Sequence, residues 1–176
     1  MNQRQLDILN SITIQGMLPL FFHADAEISL QVTRALYKAG VRVLEYTNRG
    51  PSALENFKQL VKARQQEMPD LFLGIGTIKT VAEAAVFIDA GADFIIAPIV
   101  NPEVAQIAAK HDLLWCPGCM TPTEISLAQL NGAKLIKLFP ANILVSGGGN
   151  AVKEVVPGQL FMPTGGVELN HDNIST

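Results

Sequence analysis

A single pattern recurs along the chain. A short, unbroken apolar run ends in a loop of polar, Gly or Pro residues, and a helical pattern follows. Apolar runs lie at 17–22, 41–47, 71–77, 93–98, 113–117, 134–139 and 159–163. They return roughly every 20 to 30 residues, the length of one strand–helix unit. Runs that are continuously apolar, rather than alternating, describe strands covered on both faces, the mark of a parallel sheet. The segment 26–39 sets Ile28, Val32, Ala35 and Leu36 on one stripe, and Gly40 supplies the stop. Pro51 opens the next helix, where a missing N–H costs nothing, and Leu54, Phe57, Leu60 and Val61 form its buried stripe. Segments 80–90, 102–110 and 122–130 follow the same plan. The first fifteen residues carry Leu6, Leu9 and Ile12 at helical spacing. They predict an extra helix over 1–15 that packs against the sheet or plugs one end of it.

Seven strands alternating with helices leave two α/β architectures, a (β/α)8 TIM barrel or an open doubly wound sheet. The stretch Gly74-Ile-Gly76-Thr77 begins like a dinucleotide-binding fingerprint. It lacks the third glycine and follows the third strand rather than the first, which favours the barrel. The expectation is one barrel domain over 1–176. The pattern stops where a seventh helix should begin, so strand eight and the last helices are expected to be missing from this chain. The natural protein is then expected to run on by roughly 30 to 50 residues. The first and last runs are expected to stand about two strand spacings apart, roughly 9 to 10 Å.

Composition narrows the class. Of 176 residues, 48% are hydrophobic and 16% charged, enough to bury a core. A net charge of -3 gives no basic footprint for nucleic acid. No apolar run approaches the length of a membrane helix, and the first residues lack the apolar stretch of a signal peptide. Two cysteines fit reduced thiols and a cytoplasmic location.

In a barrel, alternate strand residues point inward and sites form at the C-terminal strand ends. If Leu135 and Phe139 face the interior, so does Lys137, while Ile136 and Leu138 face the helices. Flanked by Ile136, Leu138 and Phe139, the lysine is withdrawn from water, which disfavours an ammonium. A free amine in a dry pocket attacks a ketone carbonyl to form a Schiff base. A lysine reaching to the barrel mouth, or one in a structural ion pair, fits the spacing equally well. Glu45 interrupts an apolar strand in the inward phase of Val43 and Thr47. A carboxylate near that amine suits proton shuttling, and a buried Glu–Lys ion pair is the plainer reading. Arg49 lies in the loop beyond, where its planar fork can hold a carboxylate or stand in solvent. Thr164, Gly165 and Gly166 end the seventh run, at a level where barrels bind phosphate on backbone N–H groups. An ordinary Gly-Gly turn is the alternative.

Together these stretches resemble the 2-keto-3-deoxy-6-phosphogluconate (KDPG) and 4-hydroxy-2-oxoglutarate (KHG) aldolase family. The matching segments are Gly40 to Glu45 with Thr47 and Arg49, Gly74 to Thr77, Pro117-Gly118 with Thr121 to Glu124, Lys137 to Ala141, and Pro163 to Gly166. The resemblance implies a class I aldolase that cleaves a 2-keto acid to pyruvate and an aldehyde, glyceraldehyde 3-phosphate or glyoxylate. It implies Lys137 as the Schiff-base amine, Glu45 as acid and base, and Arg49 with Thr77 on the substrate carboxylate. Pro98 and Phe139 would line the pyruvate pocket, and Thr164, Gly165 and Gly166 the distal wall. It further implies a homotrimer with no metal and no cofactor. The family's usual Ser-Pro-Gly is Ala97-Pro98-Ile99 here, and its Leu-Arg-Thr is Asn48-Arg49-Gly50. Its phosphate contact on strand eight has no counterpart in this chain.

Two other classes compete. One is a catalytically silent barrel that binds a phosphorylated metabolite. The other rests on Cys116-Pro-Gly-Cys119, a C-x-x-C that could be a redox pair or half a zinc site with His111. A four-ligand zinc site lacks partners. The glycine run at 146–149 is followed by no Gly-Lys-Ser/Thr and is not a P-loop.

Overall fold

The structure is a computed structural model that describes residues 1–141 and 156–165. It is an α/β fold of parallel strands with helices on the outside. Helix α1 (Gln3–Gln15) comes first. Strands and helices then alternate as β1 (Leu20–Phe21), α2 (Ala26–Lys38), β2 (Val43–Thr47), α3 (Ala53–Glu67), β3 (Phe72–Gly76), α4 (Val81–Asp89), β4 (Phe94–Ile96) and α5 (Pro102–Lys110). The fifth strand position is split into β5 (Leu114–Cys116) and β6 (Gly118–Cys119). Helix α6 (Pro122–Leu130), β7 (Leu135–Leu138) and β8 (Leu160–Pro163) follow. All pairings are parallel, in the order β1-β2-β3-β4-β5 and then β6-β7-β8.

The break between the two sheets falls at Pro117, which has no N–H to give to a ladder. The wall is nonetheless continuous. The Cys116 carbonyl accepts from Ala97 N–H at 3.0 Å on one side, and the Pro117 carbonyl accepts from Lys137 N–H at 2.9 Å on the other. The chain thus hands the sheet from β4 to β7 within three residues.

Strand alternation sorts side chains into two layers. Leu44, Tyr46, Leu73, Ile75, Ile95, Trp115, Ile136 and Leu138 pack outward against Phe57, Leu60, Phe87, Val104 and Ile125 of the helices. Val43, Phe94, Ile96, Leu114, Cys116 and Leu135 point inward and meet Ile8, Leu9 and Ile12 of α1. Helix α1 is therefore a plug, one of the two roles expected of it. Burying those three side chains contributes on the order of 1.5–3 kcal/mol each. Two polar fastenings add to this. Buried Asp93 takes Arg4 of α1 and Arg64 of α3 together, and also accepts from Leu73 N–H at 2.7 Å. Gln15 uses its carboxamide as a strand neighbour, accepting from Arg42 and Val43 N–H at 2.7 and 3.2 Å and donating to the Val43 carbonyl at 2.9 Å.

Helix α2 departs in part from expectation. Leu36 of the expected stripe packs on the core, but the fully buried residues are Ser29 and Thr33, whereas Ile28 is 41% exposed and Ala35 lies in solvent. Ser29 and Thr33 satisfy their hydroxyls on carbonyls four residues back, both at 2.9 Å. The Ser29 hydroxyl also lies 3.4 Å from the Tyr46 hydroxyl on β2. Helices α5 and α6 keep the expected bounds, and α6 starts from a Thr121–Glu124 capping box.

Candidate active site

Lys137 and Glu45 occupy inward positions, as alternation predicts. Their flanks Leu44, Tyr46, Ile136 and Leu138 belong to the outer layer. Lys137 stands on β7 between Gly118 of β6 and Met162 of β8. Glu45 stands on β2 between Leu20 of β1 and Gly74 of β3. Glu45 is 1% exposed and Lys137 6%. Burial raises the Glu45 carboxyl above its ordinary range, and the positive charges of Lys137 and Arg49 oppose the shift. Among the described residues no ion pair joins Glu45 to Lys137, and Glu45 Oε2 has no hydrogen-bond partner. The two buried side chains therefore stand at one end of the strands without a direct ion pair between them.

Glycines shape that end of the strands. The inward positions of β3 above Phe72 are Gly74 and Gly76. A Cβ at Gly74 would lie 2.1 Å from the Phe94 ring, and one at Gly76 would meet the Glu45 carboxyl. At Gly118 a Cβ would lie 2.4 Å from the Pro98 carbonyl oxygen, so the tops of β4 and β6 approach closely there.

The rim is built by the C-terminal strand ends. Asn48 N–H donates to the Gly76 carbonyl at 2.9 Å, which brings the loop carrying exposed Arg49 beside Thr77. Thr77 holds φ 64, a left-handed conformation that is costly for a β-branched residue and typical of functional rims. Thr164 N–H donates to the Leu138 carbonyl and Ala141 N–H to the Thr164 carbonyl, both at 2.9 Å. Those bonds fix Phe139 beside Gly165, where a Cβ would lie 3.2 Å from the ring. The Lys137 ammonium lies 5.3 Å from the centre of the Phe139 ring. Of the predicted site residues, Glu45, Arg49, Thr77, Pro98, Lys137, Phe139, Thr164 and Gly165 all come to this one end. Gly166 lies outside the described residues, as does the glycine run at 146–149.

Strands β1 and β8 do not pair with each other. Between them runs a cleft of about 540 Å³, lined by Met17, Leu18 and Leu20 on one side and Met162, Pro163 and Thr164 on the other, with Glu45 in its wall. The seven strand positions therefore do not close on themselves.

Sequence reasoning missed Cys116 as a neighbour of the site. It lies fully buried in the interior, where burial first and the Glu45 charge second push its thiol up to about 12. The inward phase of the fifth strand could have placed it there, but the C-x-x-C drew attention to the pair instead. That pair does not exist. Cys119 packs in the outer layer, on the opposite side of the wall, and both thiols are free. Three residues apart on a strand is an odd spacing, which points two side chains to opposite faces. No group of metal-ligating side chains occurs among the described residues, and no described helix is long and apolar enough to cross a membrane.

The family model for KDPG and KHG aldolase matches residues 8–174. The chain is 34% identical over 170 residues to 2-dehydro-3-deoxy-phosphogluconate aldolase of Treponema pallidum, covering 94% of this chain and 78% of that one. A crystal structure of a 4-hydroxy-2-oxoglutarate/2-dehydro-3-deoxyphosphogluconate aldolase from TTHB1 superposes with TM-score 0.80 at 33% identity, over 97% of this chain and 81% of that one. A KDPG aldolase from Legionella pneumophila, with pyruvate captured as a covalent carbinolamine, superposes with TM-score 0.78 at 29% identity, over 85% and 71%.

Proposed function

The chain belongs to the KDPG and KHG aldolase family, and on that premise we propose that it cleaves KDPG, KHG or both to pyruvate and an aldehyde through an imine on Lys137. The single observation that carries the residue assignment is the buried, unbridged pair of Lys137 and Glu45 at the C-terminal end of the strands.

The chemistry follows from those two groups. The Lys137 amine adds to C2 of the keto acid, giving a carbinolamine that loses water to become an iminium. The iminium is an electron sink, so the bond between C3 and C4 breaks as the C4 hydroxyl loses its proton. The aldehyde departs and an enamine remains. Protonation at C3 and addition of water to the imine release pyruvate and return the free amine. Each step needs a proton moved: from the adding amine to the departing C2 hydroxyl, from the C4 hydroxyl on cleavage, and to C3 afterwards. Glu45 is the carboxyl we assign to carry it, and burial raises its proton affinity above the ordinary carboxylate range. Arg49 supplies the fork for the substrate carboxylate, with Thr77 beside it. Pro98 and Phe139 line the keto-acid pocket, and Thr164 with Gly165 forms the distal wall. We read the chain as one domain acting as a homotrimer in the cytoplasm.

Borohydride reduction in the presence of pyruvate tests the proposal. A covalent adduct on Lys137 is expected. An unmodified protein, with metabolite binding intact, would turn the reading to a silent binding barrel.

A further inference from the structure

Gly76 ends β3 opposite Thr47. Glycine inside a strand weakens it and marks a place where something approaches closely. Its backbone is outside the left-handed region that favours glycine, so conformation does not demand one here. Space does. A Cβ at Gly76 would lie 1.7 Å from Glu45 Oε1, 2.5 Å from Cδ and 2.9 Å from Cγ. The Glu45 side chain leaves its register partner Gly74 and leans along the strand until its carboxyl rests in the volume that a side chain at 76 would fill.

We infer that Gly76 is a positioning residue for the aldol reaction: its missing side chain is the seat that holds the Glu45 carboxyl at the height of the reacting carbons. The inference rests on Glu45 being the proton carrier proposed above. Oε1 is thereby confined, while Oε2 is buried without a hydrogen-bond partner.

An alanine at 76 fits the strand but not the seated carboxyl. Ordinary contact begins at 3.4 Å, so Oε1 must retreat by well over an ångström. The obstacle is the far end of a flexible side chain rather than backbone, so the carboxyl moves and the sheet need not. The open direction is the cleft between β1 and β8, which Glu45 already lines.

The test compares Gly76→Ala, Glu45→Gln, Glu45→Asp and the double variant Gly76→Ala with Glu45→Asp. Gly76→Ala is expected to keep the far-ultraviolet spectrum and still form the borohydride adduct with pyruvate. Its kcat should fall about 100-fold, the usual effect of a misplacement near 1 Å, with KM little changed. The acid limb of its kcat/KM profile should move to lower pH, because a carboxyl displaced toward water loses part of the burial that raises it. Adding Glu45→Asp, one methylene shorter, should recover at least about tenfold of the lost kcat by drawing the carboxyl back from the new methyl. Wild-type kcat in Gly76→Ala beside a slow Glu45→Gln overturns this inference and leaves the aldolase reading standing. So does an unmoved acid limb or the absence of recovery in the double variant. Wild-type kcat in Glu45→Gln overturns both. If Gly76→Ala does not fold, restoration of folding by Glu45→Ala supports the seat, and failure to restore it overturns it.

Discussion

The Lys137 amine lies 5.3 Å from the centre of the Phe139 ring, two residues further along the chain and just past the end of β7. The ring is 37% exposed, whereas Lys137 is buried. Lys137 makes no described ion pair, so its removal unseats no partner. Lys137→Ala should abolish the pyruvate adduct while circular dichroism and Tm stay close to wild type. Labelling of this variant would move the amine to Lys134 or Lys153.

Glu45→Gln should lower turnover by about 10² to 10⁴, the contribution of a positioned acid–base group, and should slow imine formation as well. Steady-state and single-turnover rates check both.

The same substitution has a stability signature. Burial raises the folded-state proton affinity of Glu45 above the unfolded value. Between the two pKa values the folded state binds more proton than the unfolded, so stability falls as pH rises through that window, starting from 4.5. Glu45→Gln carries no charge to desolvate. Its Tm should exceed that of wild type at neutral pH, and the difference should shrink on acidification toward 4.5. A constant difference across pH would place the origin of the effect in packing.

Arg49 is exposed on the rim, and Arg49→Lys should leave Tm unchanged. It should raise KM for the keto acid by roughly 10- to 100-fold, the worth of one charge-assisted hydrogen bond that an ammonium does not reproduce. Equal kinetics for Arg and Lys would put the carboxylate elsewhere.

Both thiols are held up at about 12, chiefly by burial. A thiol reagent at neutral pH should label neither Cys116 nor Cys119 in the native protein and both after denaturation. Mild oxidants should not join them. Rapid native labelling of two thiols would contradict the placement of the two side chains on opposite faces of the wall.

The alternation of one strand sufficed to read Lys137 and Glu45 as inward, because each interrupts an apolar run whose phase its neighbours declare. Strand positions were legible from unbroken apolar runs and the outer helices from helical spacing, while the first helix was legible as a helix but not as a plug rather than a sheet neighbour. What alternation does not carry is volume. That Gly76 is empty because Glu45 fills it depends on two strands in register, and no single run states a register. The inward face of α2 was read only in part: Leu36 packs on the core, but Ile28, which outweighs Ser29 by hydrophobicity, stands exposed. The side chains that satisfy themselves on their own helix are the ones that fit beneath it. The C-x-x-C was the lesser alternative, and strand phase separates its members.

Gln15 gives the barrel its datum. By standing in for a strand neighbour at Arg42 and Val43, it fixes where β2 begins, and Glu45 follows two residues later along a chain that cannot stretch. The height of the carboxyl at the open end is thus measured from the plugged end, like a mark on a ruler read from its zero. Loosening α1, far from any reacting atom, would shift the whole scale.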